Sequence, residues 1–302
     1  MASKTFYFIT FTSLHLLPYL FHSISAHPTV QEQSPFQFIK HVQGCKKGDN
    51  MKGIHSLKKH LHRFGYLEHK HAINSTKDTG DHFDEHVEIA IKTYQINFNL
   101  KPTGVLDPET VAQMIMPRCG VPDIIDGKTR MKAAGTYNIK YAFFNGSPKW
   151  PLFKKVLNWG LRPGIRRDVI SPLVEFAFLS WSGVTPFAYN FVDENLTVAD
   201  IKIGFTSRSA GDQILDGPGG QLAYANPPTA GTFYYDSDEK WSDGPVPGAY
   251  DMGSVGLHEL GHVLGLAHSS VENAAMWPSL KSGITKGLAA DDIQGMKTLY
   301  GS

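Results

Sequence analysis

The sequence predicts an α+β protein in two parts, a small helical unit followed by a larger unit that mixes strands with helices. Three observations predict it. Apolar residues recur at helical spacing up to about residue 116. A stretch rich in Gly, Pro and charge then covers 117–136. Beyond it, period-two alternation over 199–205 marks a half-buried strand set among helical stretches.

Taken in order, Lys4 precedes an apolar run over 6–21, and Ser23, Ser25 and Ala26 follow. A positive flank, short apolar core and small residues read as a secretory signal peptide over 1–25. A membrane anchor is the competing reading, but the run is shorter than the ~20 residues a span requires and carries His15 and Pro18. Export, to an extracellular or cell-wall location, gives meaning to glycosylation triplets at Asn74, Asn145 and Asn195. No apolar tail follows Leu299, so a lipid anchor at that end is not expected.

Residues 53–66 are basic and amphipathic. Asp84 caps a helix whose Val87, Ala90, Ile91, Tyr94 and Phe98 share a face, and Asp107-Pro108 opens a short helix through Met114. The 117–136 stretch reads as an exposed linker. A helix over 168–181 carries Val169, Leu173, Ala177 and Trp181 on one side. Residues 212–231 are loop with a brief strand at 221–225, a helix begins near Val255, and a last helix runs from Ala290 to Tyr300. The 41% hydrophobic and 19% charged composition is that of a globular chain, and a net charge of +1 gives no electrostatic case for nucleic acid or an acidic membrane surface. Only Cys45 and Cys119 occur, which excludes a disulfide-stapled miniprotein.

The chemistry concentrates in His258-Glu259-Leu260-Gly261-His262-Val263-Leu264-Gly265-Leu266-Ala267-His268. Histidines four apart share a helix face, so His258 and His262 aim at one point. Gly265 can take a positive φ, end the helix and let the chain bring His268 back to that point. Three neutral imidazoles with a fourth position open describe a catalytic rather than a structural zinc. Glu259 is placed as general base, taking a proton from attacking water and passing it to the leaving amine. Three histidines aligned by accident is the bland alternative; these three are the only ones after His86, which weakens it.

This segment resembles the metzincins, and Ser269-Ser270 with Ala275-Met276-Trp277-Pro278 narrows the resemblance to the matrix metalloproteinases. The resemblance implies a catalytic domain with a twisted, mostly parallel sheet and three helices, Met276 forming an apolar floor beneath the metal, and a three-helix prodomain similar to peptidoglycan-binding modules. Pro117-Arg118-Cys119-Gly120-Val121-Pro122-Asp123 resembles the family's cysteine-switch segment. A thiolate there can occupy the open zinc position, and the resemblance implies that Arg118 and Asp123 pair to hold it. A Cys45–Cys119 disulfide is the rival reading. The segments 44–49 and 53–59 resemble the plant branch, and no propeller-like domain follows Tyr300. The implied division is signal 1–25, propeptide 26–130 and catalytic domain 131–302, with an activating protease cutting within 126–130.

The chain also departs from the family. Members usually hold a second, structural zinc with three histidines and an aspartate; aligned by 216–220, those places are Ala210, Tyr224 and Tyr234, with only Asp212 kept. A single zinc is therefore expected. A calcium site is implied at Asp216, Gly217, Gly219, Gln221, Asp236 and Glu239, whose hard oxygens suit that ion, against a solvated acidic turn as alternative. The expected activity is that of a secreted, monomeric zinc endopeptidase acting on extended extracellular or cell-wall peptides, which pair along 221–225 with one side chain in a pocket involving Leu222 and the loop after Pro278. Two other readings stand beside it: a peptidase-like binding protein with weak turnover, and a glycan-binding prodomain.

Overall fold

The computed structural model describes residues 34–72, 80–131, 140–192 apart from 164 and 166, and 196–301. The signal segment, the Asn74 triplet, Asn195 and residues 132–139 lie outside them; Asn145 lies on an exposed turn.

The N-terminal unit is built from α1 (Ile54–Arg63), the single turn α2 (His69–Ala72), α3 (Glu85–Asn97) and α4 (Pro108–Met114). Its caps are the ones the sequence suggests: Asp84 accepts from the Val87 amide at 3.0 Å, and Asp107 accepts from the Thr110 amide at 2.9 Å with Pro108 at the first helical position. Ile54, Leu57, Leu61, Val87, Ile91 and Tyr94 close a core of their own. Trp277, from far along the chain, completes it by standing edge-on to Phe98 with ring centroids 5.1 Å apart.

The connection reads as an exposed linker in sequence, and the structure corrects this. It forms β1 (Arg118–Cys119) and a hairpin of β2 (Ile124–Ile125) and β3 (Lys128–Thr129). Arg118, Cys119, Val121, Asp123 and Arg130 are buried, and among the described residues of this stretch only the hairpin tip 126–128 is exposed. Positive φ angles at Asp126 and Gly127 suit the two-residue turn.

The larger unit contains β4 (Tyr141–Phe143), β5 (Val156–Leu161), α5 (Arg167–Ser182), β6 (Ala188–Phe191), β7 (Ile201–Thr206), β8 (Gln221–Ala225), β9 (Thr232–Asp236), β10 (Trp241–Ser242), β11 (Tyr250–Asp251), α6 (Met252–Val263), β12 (Leu266–Ser269) and α7 (Ala290–Tyr300). Six strands make one sheet in the order β1-β8-β9-β7-β5-β6, parallel except where β8 meets β9. This is the expected α+β class, with three helices in the unit. Trp159, Ile203 and Phe233 of the sheet share one core with Val174 and Trp181 of α5, Leu257 and Leu260 of α6, and Met296 and Leu299 of α7. That core buries α6 along its whole length, so the histidines it carries face a fixed point rather than solvent. No described helix is long and apolar enough to cross a membrane.

Candidate metal centre and active site

Helix α6 starts three residues ahead of the sequence expectation because Asp251 caps it, accepting from the Ser254 amide at 2.7 Å. Four residues apart on its buried face, His258 and His262 have ring centroids 4.7 Å apart. At Gly265 the chain turns with φ +110°, and a Cβ there would run into the Pro148 carbonyl and Leu299. Only glycine fits this reversal, which brings His268 back so that its ring lies 4.9 Å from His262 and 5.3 Å from His258.

Each imidazole has one nitrogen committed. The Nδ1–H groups donate to the Ala275 carbonyl (2.7 Å, His258), the Leu266 carbonyl (2.8 Å, His262) and the Asp123 carboxylate (2.8 Å, His268). Acceptors at Nδ1 fix the tautomer and leave each Nε2 as an acceptor. His258 Nε2 and His268 Nε2 are buried without a hydrogen-bond partner. Burial, then the neighbouring histidines, hold the His258 and His262 pKa values well below normal, and burial lowers that of His268. The rings are therefore neutral, as metal binding requires.

Cys119 enters from the other side. Its sulfur lies 3.5 Å from His262 Nε2, and it forms with His258, His262 and His268 a group whose ligand atoms all lie within 4.8 Å of one another. Among the described residues this is the only such group of three or more His, Cys, Asp or Glu. Burial, and next the Glu259 carboxylate, push the Cys119 thiol well up. The Val121 amide, which donates to the sulfur at 3.3 Å, and Arg118 favour the thiolate, and a cation at the shared point would favour it further. Unpaired buried nitrogens, neutral rings and one sulfur fit a zinc ion with four ligands. Both Glu259 oxygens are buried beside the Cys119 thiol, and burial raises this carboxyl to about 8. Met276 is fully buried directly against Gly261, where a Cβ would meet its sulfur.

The Cys119 segment runs as a strand between two walls. Arg118 and Gly120 amides donate to the Gly220 and Ala223 carbonyls at 2.9 and 2.7 Å, and the Cys119 amide donates to the Pro278 carbonyl at 2.8 Å. Beneath it opens a narrow cleft lined by Leu222, Val255, His258, Glu259 and Leu280.

A family model described as matrixin matches residues 150–301, and one described as putative peptidoglycan binding domain matches 50–114. Metalloendoproteinase 5-MMP of Arabidopsis thaliana is 41% identical over 298 residues, covering 92% of this chain and 81% of that one. Metalloendoproteinase 1 of Glycine max is 36% identical over 304 residues, covering 97% and 96%. The chain belongs to the matrixin family of metalloendopeptidases. Stromelysin-1 of Rattus norvegicus is 35% identical over 260 residues, covering 82% of this chain and half of that one.

Within this matrixin, Arg118 and Asp123 meet as expected, Nη1 and Nη2 donating to the carboxylate at 2.9 and 2.6 Å. The sequence had no sign of what else joins them. Tyr66 donates to Asp123 at 2.8 Å, Asn97 donates to the Tyr66 hydroxyl at 3.2 Å, and the Arg118 guanidinium lies 3.8 Å over the Phe64 ring. Asp123, flanked by Arg118 and His268, stays well below the usual carboxylate range despite burial. Cys45 and Cys119 are both free, so the disulfide alternative does not hold. Two cleft residues were also missed: Ser254, which accepts from the Lys286 amide at 2.7 Å, and Lys286, whose ammonium donates to the Glu272 and Ala274 carbonyls at 2.9 and 2.8 Å. Asp251-x-x-Ser254 is a readable N-cap signal for the first.

Asp216, Asp236 and Glu239 lie near enough to one another for their charges to interact. Glu239 accepts from the Gly219 amide at 2.7 Å and Asp216 from the Gln221 amide at 2.7 Å, while one Asp236 oxygen is buried without a partner. Gly217 and Gly219 both take positive φ in this loop. Burial and mutual repulsion raise Asp236 to about 6 and Glu239 to about 8.

Proposed function

We propose that this matrixin is a secreted zymogen of a zinc endopeptidase, with the zinc held by His258, His262 and His268 and capped by Cys119 in the latent chain. The convergence of one sulfur and three imidazoles within 4.8 Å carries the proposal. When bound, the metal supplies a Lewis acid for the peptide carbonyl and activates water. The chain's own residues do the rest. Three Nδ1–H bonds orient the ligands, and Met276 packs the floor against Gly261. Glu259, buried next to His258, takes the proton of attacking water and returns it to the leaving amine.

The extended path of 118–120 beside β8 supports an extended peptide as substrate, paired along Gln221–Ala225 with one side chain entering the cleft against Leu222 and Leu280. The unit matching 50–114 then serves as platform for the latch through Arg63, Phe64, Tyr66 and Asn97. Cutting within 126–130, where the tip 126–128 is exposed, separates propeptide from catalytic domain. A calcium ion at Asp216, Gly217, Gly219, Gln221, Asp236 and Glu239 offsets the repulsion among the three carboxylates. Export and glycosylation of Asn74, Asn145 and Asn195 complete the reading.

The test is casein or gelatin hydrolysis by the full chain before and after a mercurial. Activity should appear only after treatment, should be present without it in Cys119→Ser, and should be absent from Glu259→Ala throughout. Clearing by Glu259→Ala after removal of Cys119 would refute the assigned base, and silence of the treated wild type would favour a binding protein instead.

A further inference from the structure

The β7–β8 loop, 207–220, carries Asp216 and leads straight into the strand that pairs with the latch, so something must fix it to the sheet. The family's usual device, a second zinc, does not fit the residues present. Ala210 offers no ligand atom. Asp212 is already spent: Oδ1 accepts from the Ile214 and Leu215 amides at 2.7 and 3.1 Å, and Oδ2 accepts from the Tyr224 hydroxyl at 2.8 Å. Tyr224 and Tyr234 supply phenols, and burial followed by Asp212 pushes the Tyr224 hydroxyl further up, away from the phenolate a metal would want.

What stands there instead is built from other parts. Tyr224 and Tyr234 are register partners across β8 and β9, and their rings stack with centroids 5.4 Å apart at 26°. The Arg162 guanidinium lies 4.9 Å over the far face of the pair, at Tyr234. Room for this comes from Gly204, the partner of Tyr234 on β7, where a Cβ would strike both the Tyr234 ring and the Arg162 side chain. Cation, two stacked rings and a carboxylate-bound hydroxyl thus run in one line from the end of β5 to the loop.

We propose that Arg162, Tyr234, Tyr224 and Asp212 form a metal-free clamp that holds the β7–β8 loop and so positions strand β8, on which peptides pair. Tyr224 also packs on the cluster of Cys119 and Val121, so the clamp touches whatever lies along that strand. Loss of zinc therefore empties the catalytic centre without loosening its wall. The inference concerns loop order and stands whether or not the latch reading holds.

Limited proteolysis of the full chain, with calcium present throughout, reads it. Cleavage within 207–220 should proceed at the same rate, within about twofold, with and without phenanthroline. Tyr224→Phe removes one charge-assisted hydrogen bond while keeping the ring, and should speed cleavage about tenfold or more. Gly204→Ala, which displaces Tyr234 and Arg162, should do the same by another route. Purified chain should carry one zinc, and Ala210→His with Tyr224→His and Tyr234→His should gain a second and make the loop phenanthroline-sensitive. Two tightly held zinc ions in the wild type, a phenanthroline-sensitive wild-type loop, or unchanged cleavage in both Tyr224→Phe and Gly204→Ala would overturn the clamp.

Discussion

Asp123→Ala is the most informative single change in the full chain. The carboxylate is wholly buried and accepts from Arg118 twice, from Tyr66 and from His268. Arg118 is only 3% exposed, so removing Asp123 leaves a cation without its partner in a dry setting. Breaking a buried pair from one side costs about 3–5 kcal/mol. The catalytic unit keeps its own core, so this loss falls on the closed latch rather than on the whole fold. At about 1.4 kcal/mol per decade, the open population should rise by roughly 10²–10⁴. Alkylation of Cys119 measures that population directly when reclosing outpaces the reagent. Cys45 is the other free thiol, so the comparison is made in a Cys45→Ala background. A rise of less than about threefold would contradict the view that this ion pair holds the thiol in place.

Other outcomes follow from the same geometry. Glu259→Gln should lower turnover of activated enzyme by about 10²–10⁴ while leaving bound zinc unchanged, read by peptide hydrolysis and metal analysis. Gly265→Ala forces a side chain into positive φ and against the Pro148 carbonyl; a cost of about 2 kcal/mol or more should lower the melting temperature of the full chain by roughly 4–8 °C in calorimetry. The carboxyls of Asp236 and Glu239 are raised on folding, to about 6 and about 8. A raised carboxyl favours the fold below its unfolded pKa, near 4.5 for glutamate, and that contribution disappears as pH climbs through the folded value. Calcium-free protein should therefore lose stability between about pH 4.5 and 8, and added calcium should raise the melting temperature more at pH 8 than at pH 5.

The parts of the molecule that local rules govern were legible in the sequence. Asp84, Asp107-Pro108 and the Gly265 reversal each act through chemistry within a few residues, and strand β8 and helix α7 lie where the pattern puts them. The three histidines and Glu259 were legible for the same reason, since one helix and one turn carry them all. Strands β5 and β9 were not. Val156–Leu161 and Thr232–Asp236 alternate in burial, but exposed Val156 and half-exposed Tyr234 put apolar bodies on the outward face and blur the polar half of the pattern. Contacts across long sequence separations were also hidden: nothing near Asp123 announces His268, nothing near Phe98 announces Trp277, and the linker-like composition of 117–131 concealed a segment buried between β8 and residues 278–280. Gly and Pro there serve a tight passage through a cleft rather than exposure.

X-ray absorption at the zinc edge of the full latent chain bears most directly on the site itself. One sulfur at about 2.3 Å with three nitrogens at about 2.0–2.1 Å is the expected shell, and Cys119→Ser should replace that sulfur by a light atom. A shell without sulfur in the wild type, or an unchanged sulfur signal in Cys119→Ser, would contradict a centre made from Cys119, His258, His262 and His268.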